Sequence, residues 1–377
     1  MSSILSVGSV ASYIWYVIIA IFALLLMVMI HEFGHYISGK LLGFKINEFS
    51  VGFGPKILQK KKKNGELFTL RAVPLGGYCA FDGEDEKSDS PTAFNNQKPW
   101  KRLIVLFCGA FFNFLSAILF SYILLVGFGY EDVQVKNIQN TSFQYMVENH
   151  LEEGDRIYGI NNTEFDFVHD KYFNNLLSDY VSNSIDFVYE DMWTTDGVDY
   201  SIVPLNVERD GKKLVVDGVL QKQISDTQEV WSFVSSDNKN EIELATYKSN
   251  PVEAIGESFS FSFRWAHKIL IILGDLFTGQ LSIKSLGGPV TTIKVMAEST
   301  QQNFAYLFVL LPVIAVNLAV FNLLPIPSLD GARMVFVLIE WIRRKPINRD
   351  VEAYIHSIGL FVLLGFVVIV DLIQFLA

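Results

Sequence analysis

Cysteine is nearly absent from this 377-residue chain, where Cys79 and Cys108 are the only two. Two thiols cannot build a disulfide framework, and neither has a partner at metal-ligand spacing, which excludes a stapled secreted scaffold and a thiolate metal site. Charge is also scarce, with 19% Asp, Glu, Lys and Arg against 50% hydrophobic residues. The chain is too apolar for an ordinary soluble enzyme and too charged for a transporter made only of helices, so a membrane part joined to an aqueous domain fits best. There is no internal repeat and no low-complexity segment. No cleavable leader is evident either. The first apolar run, Tyr13 to Ile30, is too long for a signal core and is expected to remain as an anchor.

Four apolar stretches are near the ~20 residues a bilayer requires: about Tyr13–Tyr36, Leu103–Phe128, Phe304–Leu324 and Ile355–Phe375. A fifth, Phe259–Leu276, is interrupted by Arg264, His267 and Lys268, and reads as an amphipathic helix lying on the surface or plugging a cleft. The first connection carries Lys40, Lys45, Lys56, Lys60 to Lys63, Arg71, Lys98, Lys101 and Arg102, and the last carries Arg333, Arg343, Arg344, Lys345 and Arg349. The positive-inside rule makes both cytoplasmic and puts the termini and the long middle segment outside. That segment, Glu131 to Ile255, holds about 24 acidic against 9 basic residues, an ordinary solvated surface with no nucleic-acid partner.

Where the first apolar run stops, the chain reads His31-Glu32-Phe33-Gly34-His35. Positions four apart share a helix face, so His31 and His35 can offer two imidazoles to one metal, with Glu32 beside them. HExxH is a short pattern that arises by chance, and the bland alternative is an interfacial cluster where a helix meets water. Ionisable groups within a membrane segment are functional by default, however. The third apolar stretch ends NLLPIPSLDG, with Asn317 and Asn322 inside it, breaks at Pro325 and Pro327, and Asp330 at the break. Here too a structural account exists: proline ends the helix, Asp330-Gly331 turns, and the asparagines bond neighbouring helices. The charge topology adds a constraint. The first and third helices run in the same direction, so His31, His35 and Asp330 reach one membrane face at similar depth. Two imidazoles and a carboxylate suit catalytic zinc with a fourth position open, and Glu32 is then the general base on water.

Between the first two spans, alternating residues around Asn64-Gly65 suggest β-hairpins, with Gly52, Gly54, Gly76 and Gly77 permitting bends or close approach. Two placements fit, a cytoplasmic β-subdomain or a hairpin dipping into the interface. The Lys60–Lys63 run suits a solvated end or anionic lipid. The middle segment reads as a compact β-rich module, with a turn and strand over Leu151–Asn161 and a hairpin around Asp210-Gly211. Its histidines, His150 and His169, are isolated, and no catalytic constellation is present.

HEFGH, FSVGFGP, RAVPLGGY, WKRLIVLFCGAFFN, GDRIYGIN, GGPV and NLLPIPSLDG occur in the order seen in bacterial site-2 intramembrane metalloproteases of the RseP type, which the chain resembles over nearly its whole length. The resemblance implies a polytopic α-helical membrane protein with four transmembrane helices, a membrane-associated β-hairpin region and an extracytoplasmic β-rich PDZ-like domain. The expected division is 1–128 for helices one and two with the hairpin loop, 129–253 for the PDZ-like domain with an insertion, 254–300 for an amphipathic gating region, and 301–377 for helices three and four. It also implies zinc on His31, His35 and Asp330, catalysis by Glu32, and a substrate strand held by Asn322 and Asn317. The expected activity is zinc-dependent intramembrane cleavage of pre-trimmed single-pass membrane proteins, of anti-sigma-factor or remnant-signal-peptide type, in regulated intramembrane proteolysis. An upstream site-1-type protease would do the trimming, and the location would be the cell (inner) membrane. Two departures stand out: Ala110 replaces the usual proline in GPxxN, and Gly331-Ala332 replaces a double glycine. The rival readings are a non-catalytic membrane protein that binds peptides through its PDZ-like domain, and a metal transporter. A transporter needs polar groups at several depths, whereas these cluster at one end.

Overall fold

A computed structural model of the chain describes all residues except 1–6, 85–87, 136–147, 161–162, 165–191, 196–197, 226–227, 233–241, 280, 283–285 and 377. His169 and most of the expected insertion lie outside the described residues. The chain forms two compact units, Met1–Leu124 with Pro251–Ala377, and Leu125–Asn250.

The first unit is mostly helical, with one small sheet. Helix α1 spans Val7–Leu41 and α2 spans Pro99–Ile123. After the second unit come α3 (Pro251–Thr278), α4 (Pro289–Gln302), α5 (Ala305–Leu323), α6 (Asp330–Arg343) and α7 (Arg349–Leu376). Among the described residues, four segments are long and apolar enough to cross a membrane: Ser12–Leu41, Pro99–Phe128, Ala305–Leu323 and Arg349–Leu376. Ala20, Ala23 and Met27 of α1, Ala117 of α2 and Ala315 of α5 form the bundle centre. Small side chains there let helices approach closely, which supplies the packing that water exclusion cannot drive within a bilayer.

The charged fifth stretch lies within α3, a 28-residue helix. Ala254, Ser258, Phe261, Ser262 and Ile269 make its buried stripe at helical spacing. The Ser258 and Ser262 hydroxyls donate to the carbonyls of Ala254 and Ser258, at 2.6 and 2.9 Å, so the stripe buries no open hydroxyl there. Helix α7 is fastened to the GGPV segment. The Asp371 carboxylate accepts the backbone N–H groups of Val290 (3.2 Å) and Thr291 (3.1 Å) at the start of α4. A Cβ on Gly288 would come within 2.4 Å of that carboxylate, so glycine is what lets the cap form.

Strands β1 (Ile46–Lys61) and β2 (Leu67–Phe81) pair antiparallel around the Asn64-Gly65 turn, but they are more than a simple hairpin. Val51 pairs with both Leu70 and Gly77, because each long strand bends back on itself. The resulting order of segments is 56–61, 67–71, 46–51, 77–81. The bend rests on Gly52 (φ 83°) and Gly76 (φ 116°), and a Cβ on Gly52 would lie 2.7 Å from the Val73 carbonyl oxygen. At the turn, Glu66 is 2% exposed and bonded by Lys40 (3.1 Å), Lys62 (2.8 Å) and Asn64 (3.1 Å). Burial raises its carboxyl, but the bonds from Lys62, Tyr36, Asn64 and Lys40 outweigh burial and hold it at about 2.

The second unit contains β3 (Tyr130–Val135), β4 (Arg156–Ile160), β5 (Thr163–Glu164), β6 (Met192–Thr195), β7 (Val198–Arg209), β8 (Lys212–Ser225), β9 (Gln228–Ser232) and β10 (Ile242–Tyr247). They form one antiparallel sheet in the order β10-β3-β4-β7-β8-β9, with β5 on β4 and β6 on β7. The Asp210-Gly211 turn has both φ angles positive (51° and 73°), as a two-residue hairpin with native twist requires. Its strands run well past the expected Val207–Val216, carried by the buried Val203, Leu205, Val207, Val216, Val219 and Leu220. Asp155, fully buried before β4, accepts Arg209 Nε (2.7 Å), Arg209 Nη2 (2.8 Å) and the Glu152 N–H (2.9 Å).

Candidate metal centre

Helix α1 continues six residues past His35, so His31 and His35 sit on one face, with ring centroids 4.7 Å apart and planes at 84°. Two glycines bring α2 against that face. A Cβ on Gly34 would lie 2.3 Å from the Cys108 carbonyl oxygen, and one on Gly109 would lie 2.3 Å from His35 Nε2. His35 Nδ1 donates to the Val105 carbonyl (2.9 Å), which orients the ring so that Nε2 faces His31 and Asp330.

Asp330 arrives from a break. Helix α5 ends at Leu323, and α6 begins at Asp330 itself. A Cβ on Gly331 would lie 2.3 Å from the carbonyl oxygens of both Leu323 and Leu324, so the first glycine of the motif supplies the clearance. Ala332 carries its methyl buried at the second position. Ser328 takes φ 85°, a costly value for a residue with a side chain. Its N–H donates to His356 Nδ1 of α7 (2.9 Å), and Gly359 of the same helix packs on Pro327.

Asp330 Oδ2 then lies 3.0 Å from His31 Nε2 and 3.1 Å from His35 Nε2, and the two nitrogens are 3.1 Å apart. Among the described residues this is the one cluster of three or more His, Cys, Asp or Glu side chains able to share a metal. A tetrahedral zinc bound at about 2.0–2.1 Å holds its ligand atoms about 3.3 Å apart, so a triangle of this size fits it. Burial raises the Asp330 carboxyl, but the two facing imidazoles outweigh burial and keep it ionised.

Glu32 accepts the backbone N–H of Cys79 (2.9 Å), which aims its carboxylate along the 77–81 edge of the small sheet. The Cys79 thiol is pushed up by burial first and then by Glu32, so it stays protonated and is no thiolate ligand. A cavity of about 550 Å³ is lined by His31, Glu32, His35, Asp330, Tyr78–Phe81, Asn113, Leu318 and Asn322. Asn322 reaches it and donates Nδ2 to the Leu318 carbonyl (2.9 Å). Asn317 is not among the lining residues. Leu318 and Asn322, four apart, share the face that α5 turns to the cavity, and Asn317 is one residue off it. Sequence reasoning missed Gly109, Asn113 and His356. The first two stand in the GAFFN motif, which was the only signal for them.

The model of peptidase family M50 matches residues 19–366. The chain belongs to that family. Among relatives named "Putative zinc metalloprotease", one from Clostridium acetobutylicum is 29% identical over 358 residues, spanning 94% of this chain and 96% of the relative. One from Fusobacterium nucleatum subsp. nucleatum is 28% identical over 377 residues (94% and 96%), and one from Brucella suis is 28% identical over 384 (95% and 94%). The M50 family consists of zinc-dependent site-2 proteases, so this chain is a zinc metalloprotease with several apolar helices of membrane-spanning length.

Proposed function

We propose that this M50 protein is an intramembrane endopeptidase that cuts transmembrane segments of single-pass proteins near the cytoplasmic face. The observation that carries the reading is the meeting of His31, His35 and Asp330 at about one point, with Glu32 in the same cavity, at the ends of two apolar helices. His31, His35 and Asp330 would hold the zinc. Bound there, zinc supplies Lewis acidity, which lowers the pKa of water toward ~7 and polarises a carbonyl.

The remaining steps belong to the chain's own side chains. Glu32, held by the Cys79 N–H, accepts the proton of the attacking water and delivers it to the leaving nitrogen. A helical substrate has its carbonyls locked in internal hydrogen bonds and must extend before attack. The 77–81 edge beside Glu32 offers strand pairing to the extended segment, and Asn322 offers an amide. The strand-holding role expected of two asparagines falls to Asn322, because Asn317 does not line the cavity. The Leu125–Asn250 sheet is the PDZ-like module. It stands on the extracytoplasmic side by the positive-inside rule and excludes substrates with large ectodomains, which explains a need for prior trimming by an upstream protease. Anti-sigma factors and remnant signal peptides are the substrate classes that suit such a filter.

The experiment compares zinc content and cleavage of a short transmembrane substrate between the purified protein and Glu32→Gln. Zinc is expected to remain in the variant while turnover falls about 10²- to 10⁴-fold, the range for a positioned general base. Equal turnover would sink the assignment and favour a peptide-binding membrane protein.

A further inference from the structure

Asn113 brings a whole unused amide to the metal cavity. It lies on α2 one turn beyond Gly109, about 6 Å of helical rise from the residue whose missing Cβ admits the imidazoles. It is 0% exposed, it lines the cavity, and among the described residues neither its Nδ2 nor its Oδ1 has a hydrogen-bond partner. Burying a carboxamide unpaired is costly, so a residue kept in that state calls for an explanation outside the resting fold.

The surrounding polar groups are differently placed. Ser116, on the next turn of α2, donates to the Asn113 main-chain carbonyl (2.7 Å). Asn322, which lines the same cavity, spends its Nδ2 on the Leu318 carbonyl (2.9 Å). Glu32 and Asp330 are carboxylates, which accept only. Asn113 offers a neutral donor and a neutral acceptor side by side, both open among the described residues.

That chemistry matches one ligand class. A peptide unit presents a carbonyl acceptor and an N–H donor, and a substrate strand drawn out of its helix in a water-poor cavity has both to satisfy. We propose that Asn113 grips the substrate backbone beside the scissile bond. Its Nδ2–H donates to a substrate carbonyl and its Oδ1 accepts a substrate N–H, each replacing a helical hydrogen bond lost on unwinding. Asn113 is thus a substrate-binding residue that α2 contributes to the cavity Asn322 also lines. This rests on the intramembrane peptidase reading above.

The test uses the full-length protein in lipid nanodiscs and a single transmembrane peptide with short flanks. Asn113→Leu keeps the size and removes both polar atoms, and Asn113→Ala guards against overpacking by leucine. For both, kcat/KM is expected to fall about 10- to 100-fold through the loss of two hydrogen bonds. Zinc content should equal that of the parent, and Tm should be unchanged or higher for Asn113→Leu, because an unpaired buried amide has gone. An amide that merely joins helices gives the opposite pattern. Cleavage within twofold of the parent in either variant, or activity lost only in step with zinc or Tm, overturns the proposal. Glu32→Gln runs alongside. If that variant cleaves like the parent, the peptidase reading has failed rather than the role of Asn113.

Discussion

Asp155 and Asn113 are both fully buried polar side chains, one in the β-rich unit and one in the helical unit. Asp155 is saturated by Arg209 and the Glu152 N–H, whereas Asn113 has no partner for either end among the described residues. The first is a fastener, since its bonds tie the turn before β4 to the end of β7. The second fastens nothing. Around it, His31, His35 and Asp330 likewise converge on shared space, although nothing in the bundle's packing requires three such groups there. Between these two residues, the partners, more than burial itself, separate a polar group that holds the fold from one held ready for a ligand.

The comparison breaks most visibly at Asp155. Asp155→Ala removes two of the acceptors of the Arg209 guanidinium, which keeps Glu152 and the His150 carbonyl, and leaves the Glu152 N–H open. Losing hydrogen bonds to a charged group and stranding a buried donor costs about 3 kcal/mol. The β-rich unit should therefore unfold at clearly lower temperature or denaturant, with kcat on a short transmembrane substrate retained below that transition. Asn113→Leu should do the reverse, losing activity and keeping stability. If both variants lose stability together, the distinction drawn between the two residues is void.

A smaller effect is expected at His356, which is neither in the proposed ligand set nor a lining residue of the metal cavity. It accepts the Ser328 N–H two residues before Asp330, where the backbone holds φ 85°. A non-glycine residue in such a region costs about 1–3 kcal/mol and persists only while its surroundings hold it. His356→Leu removes the acceptor and lets the turn relax, which moves the Asp330 carboxylate off the imidazoles. Zinc should then be stripped at about tenfold lower chelator concentration, with kcat/KM falling in parallel. His356→Asn, whose Oδ1 can replace Nδ1 as acceptor, should recover most of the loss. Unaltered zinc retention in His356→Leu would show that the turn needs no support from α7.

The reach of sequence reasoning follows from the range of the interactions. His31 and His35 share a face by helix geometry alone, and Asp330 joins them through a topology set by charge. Asp210-Gly211 declares its hairpin locally. By contrast, Gly109 acts through a clearance between helices some 75 residues apart in sequence, which no local pattern reports. The doubling-back of β1 and β2 needed the φ values of Gly52 and Gly76, where composition shows only that bends are possible. Asn317 illustrates a limit of the opposite kind. Five residues from Asn322, it lies near the same stretch of α5 but off the face turned to the cavity. His356 was invisible because a histidine in an apolar run says nothing about the turn it caps.

Glu66 tests whether partners, rather than the unit a residue belongs to, decide its role. It lies in the same unit as Asn113 yet is fully paired at the β1–β2 turn by Lys40, Lys62 and Asn64. It should therefore behave like Asp155, but more weakly, because the side chains of Lys40 and Lys62 are each 40% exposed and screened by solvent. Its folded pKa of about 2 lies below the ordinary glutamate value of ~4.3. The stabilisation is thus complete above about pH 4.3 and lost as pH falls toward about 2. Between pH 6 and 3, Tm should fall more steeply in the parent than in Glu66→Gln, and added salt should narrow the gap. Zinc-site activity at neutral pH should be the same in both. If Glu66→Gln instead lost activity with Tm unchanged, a saturated side chain would be acting as Asn113 is proposed to act, and partner count would no longer separate the two roles.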